Sequence, residues 1–533
     1  MRQRNKIIML VCGLLVLLAP FILYLNSLHN DFLAGDDEEI ILRNTYLQDG
    51  SSFYKIFTQN FKAGSGAITN YYRPFQLLTY AAIIKTAGAR PEPFHFSSIL
   101  LHSLCGLLLY LIFLRLLYPA TSLGLITLIA LVWVSLPIHN EEIAGVSGLG
   151  SPSYLFWMLA GMLAFLNFTN GNKIRWYIVS LVSFIFSLLS KESAIVFPGL
   201  LLGMHLACAQ AGLLKKVKLK QLLILHAPFW MIAAVYIILR LTLLNFDNTL
   251  NFYNGANIFT QNFSFRLYTF FTVLGRGLVI IFLPAGLHPE KSWPVFTGFF
   301  NPQVFSSFLA ILLLVALATA FRKKNPIFTF GIFWFFFSYL PMSNLLAMIN
   351  AIALDHWFYV PSVGILLALA SLLRKKPGQR IAYLFLAAGV VIFSIITISR
   401  NKYWKDTETF SRFILRYEPG SVKTWNNLAI ALAQNHKYRE AIEGYSKAIT
   451  LEDIYPQSHH NLANVYAALG EYRLAEKEYL QAIAMDKRFF YSYLALGKLY
   501  LAEGKKEKTG DYLRKALEIH PGLAEAKELL KKM

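Results

Sequence analysis

The feature that most constrains this chain is a succession of apolar runs, each about as long as a bilayer is thick. A membrane span needs about 20 mostly apolar residues. Runs that qualify lie near 6–26, 96–117, 120–138, 153–169, 174–190, 194–212, 221–243, 303–321, 326–342, 358–373 and 381–399. The chain is therefore read as about eleven crossings in an all-α membrane domain. Composition agrees, since 56% of the 533 residues are hydrophobic and 15% charged, unlike a soluble domain. Cys12, Cys105 and Cys208 all fall inside apolar runs, as small core residues rather than a disulfide framework.

The opening, "MRQRNKIIMLVCGLLVLLAPFILYL", has a basic start and an apolar stretch longer than a signal core. It is read as an uncleaved first transmembrane helix that begins in the cytoplasm. Basic tracts then test the count, because they favour the cytoplasmic side. With the start inside, "LRLLYP", "NGNKIR", "LLKKVKLKQ", "FRKKNP" and "LRKKPGQR" all fall inside, and every acid from Asp31 to Asp355 falls in or beside an outer segment. The net charge of +20 is thus an orientation signal, not a nucleic-acid groove. Segment 265–287 would reverse two basic tracts if it crossed, so it is read as an interfacial or re-entrant outer helix, and 72–88 as an amphipathic outer helix. Most aromatics are assigned to lipid contact or interfacial belts.

Beyond about residue 405 the pattern changes to mixed charge with a 34-residue period. Trp425, His459 and Tyr493 share one column; Leu428, Leu462 and Leu496 another; Ala448, Ala482 and Ala516 a third. This resembles the tetratricopeptide repeat, in which small residues let paired helices approach and large ones fill the gap between pairs. The expected domains are a membrane domain over 1–405, a linker helix over 406–417, and three repeats with a capping helix over 418–533. An odd number of crossings puts the repeats outside.

Between Glu142 and Asp406 the only acids are Glu192, Asp247, Glu290 and Asp355. Ionisable groups near a bilayer are costly and tend to be kept for function. "GDDEEI", "PIHNEEI" and "LLSKES" all stand at outer helix ends, where loop folding can gather their carboxylates with Arg73, His139, Lys191 and His356. Such a site suits a lipid-linked phosphate: cations hold the phosphate and a carboxylate accepts a proton from an attacking hydroxyl.

Taken in order, these segments resemble the transmembrane-and-tetratricopeptide-repeat protein O-mannosyltransferases of the C-type glycosyltransferase superfamily, in a bacterial-type member. "FLAGDDEEIILRN" resembles the family's first-loop acidic pair with its later asparagine, and "YYRPFQLLTY" its Tyr-Arg-Pro stretch. "FHFSSILLH" resembles the His-rich entry to the second span, "PIHNEEIAGVSG" the second-loop His-x-Glu motif, and "LLSKESAIVFP" the Ser-Lys-Glu motif. "LPMSNLLAMINAIALDHWFYVPS" resembles the late Pro-x-Ser-Asn and Tyr-x-Pro-Ser pair. Two departures stand out. Gly148, Leu149, Gly150 and Ser151 replace a Gly-Arg-x-Asp pattern, and Asp355 with His356 replaces Glu-Arg.

The resemblance implies a glycosyltransferase that takes a sugar from a polyprenyl-phosphate carrier. Its acceptor would be a hydroxyl, on a protein engaged by the repeats, at the outer face of a bacterial cytoplasmic membrane. It implies Asp36 as base or metal-binding carboxylate, with Asp37 and Glu141 beside it in catalysis. Arg73, Lys191, Arg240 and His356 would bind the donor phosphate, with His139, Glu142, Glu192 and Asp355 as further site residues. A divalent metal ion is compatible with this chemistry and not required by it. Glu38 and Glu39 are expected to face water. His95 and His102, seven apart on one helical face, are read as satisfied polar contacts rather than zinc ligands. Two other readings use the same residues: transfer to a lipid or polysaccharide acceptor, and a non-catalytic membrane scaffold whose repeats dock other proteins.

Overall fold

The computed structural model describes residues 2–48, 53–67, 69–246, 257–349, 351–373 and 379–532. Asp247 and the basic turn around 374–378 lie outside them. Among the described residues the secondary structure is helical, with no strand. The chain divides into two compact units, Met1–Lys405 and Asp406–Met533.

In the first unit, eight described helices are long and apolar enough to cross a membrane, and the bent pair Leu123–Ser135 and Pro137–Ala144 makes a ninth candidate. Three shorter apolar helices, Ile174–Ser190, Pro326–Met342 and Pro361–Leu372, complete the set. If Phe263–Phe282 is left out, these helices coincide with the apolar runs read from the sequence. Several begin on proline (Pro91, Pro302, Pro326 and Pro361), where the missing N–H has no helical partner to lose. Ser147–Gly171 is mostly buried, whereas Leu219–Leu241, Pro302–Phe321 and Gln379–Trp404 present long apolar faces outward. Outward apolar faces suit lipid, where helices gain from close packing rather than from escape from water. Gly331 and Gly364 supply such packing, because a Cβ on Gly331 would stand 2.5 Å from the Gly364 carbonyl oxygen.

Hydrogen bonds sort the helix termini into two ends. At one end Arg115 donates to Asn167 (3.2 Å), Thr121 to the Ala370 carbonyl (3.3 Å), and Asn325 to Ser371 (3.1 Å). This end carries the basic tracts. At the other, Asn401 joins three segments: it donates to the Leu23 carbonyl (2.8 Å), accepts from Asn140 (2.5 Å), and its carbonyl accepts from Asn30 (3.3 Å). This end carries the acidic motifs. Phe263–Phe282 meets that same end twice. Arg266 near its start donates to the Asn344 carbonyl (3.2 Å), and Leu287 just past its end accepts from Arg400 (2.9 Å). Pro74–Ala87 is a helix with Gln76, Leu77, Tyr80 and Ile83 turned inward. Some aromatics turn inward instead of toward lipid, among them Trp133, Tyr24, Tyr80, Tyr110, Tyr339 and Tyr359, which are fully buried.

The second unit begins with Thr407–Leu415, capped by Asp406, whose carboxylate accepts the Thr409 N–H at 2.7 Å. Expected as a linker, this helix lies within the unit, with Leu415 packed on the first repeat's core. Three helix pairs follow: Val422–Gln434 with Tyr438–Leu451, Pro456–Ala468 with Tyr472–Met485, and Phe490–Ala502 with Lys506–Ile519. Ala524–Lys532 closes the series. The alanine columns Ala441/Ala475 and Ala448/Ala482/Ala516 are completely buried, as close helix approach demands.

Candidate active site

The acidic end of the membrane unit carries a string of ion pairs, each on a loop at a helix terminus. Gly35, at φ +94°, turns the chain so that Asp36 and Asp37 point in different directions. Asp37 is buried, and its two oxygens accept the backbone N–H groups of Leu33 (2.9 Å) and Ser147 (3.0 Å). Burial pushes its carboxyl up to about 6, against the pull of the Leu33 N–H. Asp36 faces outward, its side chain 58% exposed, and pairs with the Lys62 ammonium at 2.6 Å. Lys62 also meets Glu39 at 2.7 Å, so Glu39 is engaged rather than simply solvated, and Glu38 pairs with Arg43 at 3.3 Å. Burial pulls the Lys62 pKa down, and Asp36 and Glu39 more than reverse it, so the net shift is upward.

Tyr71 stands between this cluster and the next, its hydroxyl within the fields of Arg73, Glu192, Asp36 and Lys62. The Arg73 guanidinium lies 4.6 Å over the Tyr71 ring and donates to Glu192 at 3.0 Å. The second Glu192 oxygen accepts the Tyr72 N–H at 2.7 Å. Arg240, at the end of Leu219–Leu241, holds the carbonyl and side chain of Asn70 and lies within electrostatic reach of Glu192.

Lys191 is the next cation. Its ammonium donates to Ser151 at 2.6 Å and stands 3.6 Å from Glu142, which also accepts the Ser151 hydroxyl at 2.6 Å. His356 follows, with Nδ1 2.8 Å from Glu141 and Nε2 3.6 Å from Glu142. Burial lowers the His356 pKa, but the two carboxylates outweigh it and the net shift is upward. Last, Lys291 meets Asp355 at 2.5 Å; burial lowers its pKa against the attraction of Asp355. A narrow pocket beside this pair is lined by Glu141, His288, Asp355 and Arg400.

The structure thus gathers Asp36, Arg73, Glu141, Glu142, Lys191, Glu192, Arg240, Asp355 and His356 along one electrostatic string. It does not pair Asp36 with Lys191, whose ammonium goes to Ser151 and Glu142. His139 stands apart from the string. It is packed against Trp133 (4.7 Å) and Tyr359 (4.5 Å), with Nε2 3.5 Å from the Ser362 hydroxyl. His95 and His102 take separate partners, the Asn30 carbonyl for one and the Tyr359 hydroxyl and Val134 carbonyl for the other. Both sequence departures fall inside the string, since Ser151 donates to Glu142 and His356 is ion-paired with Glu141. Lys62 and Lys291 are new members. Their signal in the sequence was a cation on the side that the basic tracts otherwise leave to acids. Among the described residues no group of three or more His, Cys, Asp and Glu side chains could hold a metal ion.

The fold and this string define a class: a polytopic all-α membrane unit with ionisable groups at one end, joined to tetratricopeptide repeats. The family profile described as tetratricopeptide repeat matches residues 456–489 and 490–522. Over most of its length the chain is similar to proteins named protein O-mannosyl-transferase. It is 23% identical over 458 residues to F38B6.6 of Caenorhabditis elegans, covering 84% of this chain and 63% of that one. It is 22% identical to mouse TMTC3, covering 82% of this chain and 51% of that one, and 23% identical to human TMTC1, covering 82% and 54%. The repeat unit is too short to account for these matches, so the similarity extends well into the membrane unit. The chain spans between about half and just under two thirds of the length of these relatives.

Proposed function

We propose that this protein is a membrane glycosyltransferase that moves a sugar, of the mannose type, from a polyprenyl-phosphate carrier to a protein hydroxyl. In this reading the site lies at the outer face of a bacterial cytoplasmic membrane, on the same side as the repeats. The observation that carries it is the alternation of buried and half-buried cations and carboxylates at one end of the helix bundle, in a chain similar to proteins named protein O-mannosyl-transferase. The acceptor oxygen bonds to the anomeric carbon as the bond from that carbon to the phosphate oxygen breaks. Its electron pair leaves on the phosphate, and the anomeric configuration inverts. Asp36 takes the hydroxyl proton, being the most exposed carboxylate of the string. Arg73, Arg240, Lys191 and His356 offset the charge of the leaving phosphate. Asp37, spanning two backbone segments, fixes the loop from which Asp36 projects, and the repeats present the acceptor chain.

The test uses purified full-length chain, a short-chain polyprenyl-phosphate mannose and a serine/threonine peptide. Asp36→Asn should lower transfer by about 10²–10⁴-fold, the usual worth of a general base, while donor binding persists. Wild-type transfer by that variant would remove Asp36 as the base, whereas no transfer by the unaltered chain would favour a scaffold. Removing 406–533 should spare donor binding and reduce transfer to protein about tenfold through weaker acceptor binding. Undiminished transfer to protein by the truncated form would move the acceptor to lipid or polysaccharide.

A further inference from the structure

We propose that Lys62 is the positioning residue that holds Asp36 in place to act as the base, an inference that rests on the reading of Asp36 given above. An exposed aspartate on a loop samples several rotamers, and fixing one of them carries an entropic cost. Lys62 supplies the restraint from below. Its side chain is only 8% exposed, yet its ammonium reaches both Asp36 and Glu39.

The loop that delivers it is tied at several points. Asn60 accepts the Lys62 N–H with its side chain (3.0 Å) and the Ala63 N–H with its carbonyl (3.1 Å). Phe61 donates to the Tyr71 carbonyl (2.9 Å), and Ser65 Oγ to the Lys62 carbonyl (2.8 Å). Gly64 presses on the fully buried Asn44, whose Oδ1 a Cβ at that position would overlap. Asn44 stands on the segment that carries Asp36 and Asp37, and Thr45 Oγ1 ties the same segment to the Gly64 carbonyl at 3.0 Å. Both partners of the ion pair are thus held by one packed piece of structure.

Glu39 has its own part. By sharing the ammonium it keeps Lys62 from neutralising Asp36 outright, which would leave a weak base. Among the described residues, the charged and titratable groups facing Asp36 include Asp37, Glu39, Lys62 and Tyr71, with Arg73 and Glu192 beyond the tyrosine. A positioning lysine acts on the rate of transfer, not on donor affinity, and it sets the pH at which the base loses its proton-accepting form.

The experiment measures steady-state transfer by the full chain from short-chain polyprenyl-phosphate mannose to a serine/threonine peptide across pH. Lys62→Met should lower kcat about 100-fold with the donor KM changed less than about threefold. Lys62→Arg should recover activity to within about tenfold of wild type. The acid limb of the profile should move up by about one pH unit in Lys62→Met and down in Glu39→Gln. A donor KM raised tenfold or more with kcat unchanged would overturn the inference and make Lys62 a donor ligand. An unmoved limb in both variants would overturn it as well. Where Lys62→Met does not fold, Glu39→Gln carries the test alone. Inactive Asp36→Asn together with unmoved limbs removes this inference only, whereas active Asp36→Asn removes the reading of Asp36 on which it rests.

Discussion

The two units use charge in opposite ways. At the acidic end of the membrane unit the inner pairs have left water, with Lys291 and Asp355 9% and 8% exposed and Lys191 and Glu142 11% and 4%, while Asp36 at the edge stays open at 58%. In the repeat unit the pairs stay wet, with Lys498 and Glu525 at 47% and 53% and Arg514 and Asp511 at 63% and 56%. The repeats are held by apolar columns, and exposed pairs contribute about 0–1 kcal/mol each. A buried pair has lost hydration that its mutual attraction only roughly offsets, so a hydrophobic pair of the same volume would often hold the fold as well. A chain that keeps two such contacts, Lys291 with Asp355 and Lys191 with Glu142, at one end of a bundle keeps them for their charge. That contrast separates a site from a scaffold, and it can be broken by measurement.

The largest effect should come from orphaning a buried partner. Lys291→Met leaves the Asp355 carboxylate without its cation and should destabilise the membrane unit by about 3–5 kcal/mol. Thermal unfolding of the detergent-solubilised full chain reads it. The double variant Lys291→Met/Asp355→Leu should recover most of the loss, because the cost lies in the unpaired charge. If the double variant is no better than the single one, packing is responsible and the contrast between the units fails.

Much of this was legible in the sequence, for reasons that also explain the gaps. Helices declare themselves by period and length, so the apolar runs and the alanine columns of the repeats could be read directly. The motifs of the acidic end could be read too, because scarce charges beside membrane spans stand out, and Arg73 does meet Glu192, Lys191 Glu142, and His356 Glu141. Their pairing could not be read. Asp36 meets Lys62, and Asp355 meets Lys291, across loops whose register carries no period. Asp36 and Asp37 are neighbours of identical chemistry, and only the turn at Gly35 decides which faces outward. Glu39 keeps the exposure expected of a solvated residue, yet its partner Lys62 lies 23 residues away on a loop whose pairing no sequence period reports. His139 belongs to a polar-looking motif, yet the Trp133 and Tyr359 rings enclose it.

A smaller effect tests the boundary case within the repeats. His459 is nearly enclosed, with Nδ1 2.5 Å from Glu478 and Nε2 2.9 Å from Asp453. The hydrogen bond to Glu478 raises its pKa most, burial opposes, and Asp453 adds to the rise. The folded unit therefore holds the proton more tightly than the unfolded chain, whose histidine titrates near about 6.5. Stability from this contact is fully present below about 6.5, down to the range where carboxylates protonate, and is lost as pH rises through the raised folded value. Residues 406–533, which have their own core, should melt about 3 °C lower at pH 9 than at pH 6, a figure kept small because Asp453 is partly solvated. His459→Gln should flatten that difference, and an unchanged difference would assign it to other groups.

The smallest effect should come from the exposed pair. Lys498 and Glu525 lie 2.5 Å apart and join Phe490–Ala502 to the closing helix Ala524–Lys532. Both side chains are about half exposed, so water screens the charges and each chain loses rotamer freedom to hold the contact. A double-mutant cycle with Lys498→Ala and Glu525→Ala should give a coupling below about 0.5 kcal/mol, and about 0.5 M salt should erase it. The short distance makes this a strict test, because length alone would rank the contact with Lys291 and Asp355. A coupling above about 1.5 kcal/mol that persists in salt would mean that distance, not loss of water, sets the worth of these pairs. The buried string would then lose its claim to be anything but structure.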